Sequence, residues 1–61
     1  MTLKRRMQLL VEAAPGLSVA EARRAFPETH GPSVGAALYG LADEGLLKRS
    51  WASGVCHFYP R

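Results

Sequence analysis

From Leu3 onward the apolar residues Leu3, Met7, Leu10, Val11 and Ala14 recur at spacings of four, three, one and three, which gathers them on one face of a helix. Lys4, Arg5, Gln8 and Glu12 fall on the opposite side. Pro15 and Gly16 end this pattern, because the residue before a proline is pushed out of the helical region and glycine tolerates a reversal. A first helix is therefore predicted from Leu3 to Ala13. Ser18 and Glu21 then form a capping-box pair, in which each side chain can satisfy the other residue's amide. The short apolar face of Val19, Ala22, Ala25 and Phe26 follows, and Pro27 closes it. This second helix is barely two turns long. Pro27 to Gly31 reads as a turn. Gly31 and Pro32 suit the N-cap and first residue of a third helix, where proline's missing amide costs nothing. Val34, Ala37, Leu38 and Leu41 supply its buried face, and Gly45 a left-handed cap. The third helix is predicted from Pro32 to Glu44.

Beyond Gly45 the pattern changes to two short runs rich in β-branched and large residues, Leu46 to Trp51 and Val55 to Tyr59, on either side of Ala52-Ser53-Gly54. This is a hairpin signal. A three-residue loop with left-handed Gly54 would pair Trp51 with Val55, Arg49 with His57 and Leu47 with Tyr59, whereas a turn centred on Ser53-Gly54 would shift every pair by one. The predicted core is Leu10, Phe26, Val34, Leu38 and Leu41, closed by Leu47 and Tyr59 at the base of the hairpin. The fold class expected is mainly α with a C-terminal β-hairpin.

Composition narrows the function classes. The chain has 61 residues, 48% hydrophobic and 21% charged, the balance of a folded protein and enough for one small core, so residues 1–61 are expected to form one domain. No apolar run approaches the roughly 18 to 20 residues of a membrane span. Met1 to Leu10 carries Lys4, Arg5 and Arg6 without the apolar stretch of a secretory signal. The expectation is a soluble, cytoplasmic protein with no membrane partner. A single cysteine, Cys56, cannot form a disulfide within the chain, so packing must hold the fold together. The formal charge is +3, and all of that excess lies in the first 26 residues, through Lys4, Arg5, Arg6, Arg23 and Arg24. A basic balance permits nucleic-acid binding without demanding it.

The order of helix, short helix, turn, helix and hairpin resembles the winged helix-turn-helix family, three helices plus a wing. Leu17-Ser18-Val19-Ala20-Glu21-Ala22 is similar to the start of that family's second helix. Ser33 to Leu47, and most specifically Leu38-x-x-Leu41-x-x-x-Gly45-Leu46-Leu47, is similar to its recognition helix and the exit into the wing. The resemblance covers nearly the whole chain, from about Leu3 to Tyr59. It implies a small DNA-binding transcriptional regulator of bacterial or phage type, with the third helix in the major groove and the hairpin touching phosphates or the minor groove. By position it implies DNA contacts from Thr29, His30, Ser33, Gly35, Ala36 and Tyr39, with Gly40 further along, from Arg23 and Arg24 beside the groove, and from Lys48, Arg49 and Trp51 on the wing. Double-stranded DNA is the implied partner, bound by a homodimer or cooperatively, since one such module buries only about 600 to 1,000 Å2 on DNA.

One departure opens a second reading. Between Arg24 and Lys48 there is no Lys or Arg, so the side chains that make bidentate contacts to guanine are missing from the third helix. The alternative is a winged-helix protein-interaction module, or a small inhibitor of a partner complex, with Trp51 as its anchor. Each candidate also has a purely structural role open to it: Lys4, Arg5 and Arg6 as a solvated helix end, Trp51 folded back over the third helix, Tyr39 on the rim of the core. No cofactor is expected. His30, Cys56 and His57 lack metal-ligand spacing, since adjacent strand residues point to opposite faces. There is no glycine-rich phosphate loop and no carboxylate pair suited to catalysis, so the expectation is not an enzyme.

Overall fold

The computed structural model describes all residues, Met1–Arg61. Three helices, α1 (Leu3–Ala13), α2 (Val19–Ala25) and α3 (Gly31–Asp43), combine with three strands, β1 (Leu17–Ser18), β2 (Leu47–Ala52) and β3 (Val55–Pro60). The strands form one antiparallel sheet in the order β1-β3-β2. No helix is long and apolar enough to cross a membrane.

The local signals behave as their chemistry requires. The Thr2 hydroxyl caps α1 by accepting from the Arg5 amide at 3.2 Å. In the capping box of α2, Ser18 Oγ accepts from the Glu21 amide at 3.3 Å and Glu21 Oε1 accepts from the Ser18 amide at 3.1 Å. Gly45, at φ +77°, ends α3 with two reversed hydrogen bonds, from the Gly45 amide to Ala42 O and from the Leu46 amide to Leu41 O, the Schellman arrangement. The start of α3 differs by one residue from the expectation: His30 is the N-cap, without a side-chain capping bond, and Gly31 is already helical. Both Gly31 and Pro32 fit the first turn, where amides have no intrahelical acceptor.

Two features depart from the sequence reading. The first is β1, which was not expected. It is only two residues long and too short to show alternation, and it forms because Leu17 lies opposite Phe58 while the Gly16 amide donates to Phe58 O at 2.8 Å. The second is the hairpin register. Ser53 and Gly54 both have positive φ, +52° and +76°, making a two-residue turn whose twist matches that of the strands. Ala52 therefore pairs with Val55, Trp51 with Cys56, Arg49 with Phe58 and Leu47 with Pro60, the shifted register rather than the three-residue loop.

That shift decides the core. In a strand a one-residue slip exchanges the faces, so Phe58 is fully buried and Tyr59 is 40% exposed. Phe58, not Tyr59, closes the core, together with Leu47 and Cys56. On the helices Met7, Val11, Val34, Leu38 and Leu41 are buried as one cluster, and Leu10 and Phe26, expected at its centre, pack half-buried against its edge.

Candidate nucleic-acid interface

α3 buries Val34, Ala37, Leu38 and Leu41, and its 3.6-residue period turns Ser33, Ala36 and Tyr39 to the other side. Ser33 and Ala36 are exposed, and Tyr39 is half-buried at the edge facing the sheet. The Tyr39 ring is held from two sides. It meets Phe58 edge-on, with centroids 5.4 Å apart and planes at 81°, and the Arg49 guanidinium sits 5.6 Å from its centroid. Hydrogen bonding with Cys56, then burial and the electrostatic influence of Cys56, push the Tyr39 phenol above its ordinary value, and Arg49 acts the other way.

The remaining positions fall into three groups. Gly35 and Gly40 are not open on this face as the resemblance implied. A methyl group at Gly35 would lie 3.6 Å from the Val19 side chain, and one at Gly40 would lie 3.1 Å from Lys4 Cε. The Lys4 stem thus crosses α3 over Gly40, and its ammonium pairs with Glu44. Thr29 lies half-buried in the turn between α2 and α3, where its amide donates to Phe26 O, and His30 is exposed at the start of α3.

The cations differ in how far they are already engaged. Arg23 Nε donates to Gly31 O at 3.3 Å, so Arg23 stands against the first turn of α3. Arg5 bonds Gln8, Arg6 lies 4.8 Å above the Phe26 ring and Arg61 bonds Gly45 O. Arg24 and Lys48 are exposed and make no side-chain hydrogen bond or ion pair. Alternation along β2 puts Arg49 and Trp51 on the side of the sheet facing the helices and Lys48 on the other. Trp51 lies beyond the end of the packed core, 68% exposed.

Below Trp51 is a cleft of about 250 Å3 between the start of α2, Tyr39 and the hairpin tip, with Val19, Ala20, Val55 and Cys56 in its lining. Sequence reading did not bring Val19 and Val55 together with Trp51, because only the docking of the hairpin against α2 and α3 makes them neighbours. Cys56 and His57 occupy opposite faces of β3, the first buried and the second with Nδ1 donating to Gly16 O at 2.9 Å. The capping hydrogen bonds from Ser18, chiefly that from its amide, hold the Glu21 carboxyl below its ordinary value. Comparison of the chain with protein-family models, with curated proteins and with solved structures yields no match.

Proposed function

We propose that the chain is a winged helix-turn-helix protein that binds double-stranded DNA as a transcriptional regulator, with α3 in the major groove, the β2 and β3 hairpin as its wing, and a homodimer or cooperative array as the functional unit. The observation that carries this reading is a pair of guanidinium groups at the two ends of the exposed face of α3, Arg23 against Gly31 and Arg49 against Tyr39. Eight residues of helix separate Gly31 from Tyr39, about 12 Å along the axis, and the major groove is about 12 Å wide. The two cations therefore match phosphates on either side of a groove while the face between them meets base edges. The order of elements, with β3 between β1 and β2, is compatible with the fold.

The test is fluorescence anisotropy with a mixed-sequence duplex at low and moderate salt. Affinity should fall steeply as salt rises, because bound cations release counterions. Arg23→Ala and Arg49→Ala should each weaken binding to all sequences alike and reduce the slope of log K against log salt by about one. No salt-sensitive binding at all would refute the reading. One observation favours the protein-interaction alternative: the 68% exposure of Trp51 over an apolar cleft. Under that alternative duplex binding is absent and Trp51→Ala costs about 2 kcal/mol or more of partner affinity.

A further inference from the structure

If α3 lies in the major groove, the side chains on its exposed face limit what it can read there. Bidentate recognition of guanine needs Arg or Lys, and that of adenine needs Asn or Gln. No Lys or Arg lies between Arg24 and Lys48, the chain has no Asn, and its one Gln, Gln8, is on α1 and bonded to Arg5. The carboxylate of Glu44, an acceptor suited to cytosine, is paired with Lys4. What the face does present is the exposed Ser33 hydroxyl, which can pair with any base edge, the exposed methyl of Ala36 and, one turn on, the half-buried ring of Tyr39, fixed in place by Phe58 and Arg49. Arg23 stands beyond one end of this ledge, and Arg49 packs over the Tyr39 ring at the other. That distribution matches a surface whose phosphates lie at the rims and whose centre is apolar.

In B-DNA the apolar group that meets such a ledge in the major groove is the methyl on C5 of a pyrimidine, carried by thymine and by 5-methylcytosine. Resting on the DNA-binding reading above, we propose that Ala36 and Tyr39 form a methyl-reading ledge, and that the protein selects duplexes by their pyrimidine methyl groups rather than by hydrogen-bond patterns. Tyr39 is suited to this because its ring is already ordered, so contact costs little side-chain entropy.

The experiment uses the unaltered protein and alternating duplexes of equal length and charge: dA-dT against dA-dU, and dG-dC against its 5-methylcytosine form. Within each pair only the methyl differs, so the phosphate contribution cancels. We expect dA-dU to bind more weakly than dA-dT by about fourfold for each contacted methyl, the equivalent of about 0.8 kcal/mol, with the same salt slope. A gain on methylating dG-dC assigns recognition to the methyl whatever its base, and a gain confined to the dA-dT pair assigns it to thymine. Ala36→Gly, checked by thermal melting to be folded, should narrow the difference between dA-dT and dA-dU. Equal affinity for those two duplexes overturns the methyl-reading ledge, whereas loss of salt-sensitive binding to every duplex overturns the DNA-binding reading itself.

Discussion

Replacing Phe58 and Tyr59 separately by alanine tests the hairpin register and the core together. Phe58 is fully buried, meets Tyr39 edge-on at 5.4 Å, and lies opposite Leu17 on one neighbouring strand and Arg49 on the other. Truncating a buried phenylalanine costs about 3 to 5 kcal/mol, from lost transfer energy and the cavity left behind. At roughly 0.05 to 0.15 kcal/mol per residue, a chain of 61 residues has only about 3 to 9 kcal/mol of stability, so Phe58→Ala should lose about a third of it or more. Tyr59 is 40% exposed, with its ring over Gly16 on the outer side of the sheet. Tyr59→Ala should cost about 1 kcal/mol, the scale of a cross-strand pair, and lower the melting temperature by about 4 to 8 °C. Far-UV circular dichroism on heating and in urea measures both. A Tyr59→Ala protein less stable than Phe58→Ala would refute the register, since the three-residue loop places Tyr59 inward in its stead.

Ser18→Ala should destabilise α2 by about 1 kcal/mol through loss of its cap, measured by urea denaturation. The Ser18 amide, more than its hydroxyl, holds the Glu21 carboxyl below its ordinary value, so that contribution should be present above the carboxyl's unfolded pKa and lost as pH falls through the lower folded one; Glu21→Gln should flatten this part of the acid limb, and an unchanged limb would count against it. Ser53 takes φ +52° beside Gly54 in the two-residue turn, a conformation that asparagine tolerates better than serine. Ser53→Asn should therefore raise the melting temperature by a few degrees, on the order of 0.5 kcal/mol, and a decrease would contradict the turn assignment.

Much of this fold was legible because its signals are local. The Ser18 and Glu21 box, the stop at Pro15-Gly16 and the cap at Gly45 each depend on residues within a turn of one another, so chemistry at that range marked the ends of α1, α2 and α3 to within a residue. Ser33, Ala36 and Tyr39 were implied by the resemblance, through their positions on the third helix; the structure exposes Ser33 and Ala36 and leaves Tyr39 half-buried. The tertiary structure decided what depends on distant partners. Both hairpin turns fit Ala52-Ser53-Gly54, and only the packing of Cys56 and Phe58 onto the helices, with Leu17 alongside as β1, selects the register that buries them. Nor could sequence show that Lys4 reaches across Gly40 to Glu44, or that Arg49 and Phe58 together fix the Tyr39 ring. Those pairs are 40, 10 and 19 residues apart, and only the packing of α1, α3 and the hairpin around one core brings them into contact.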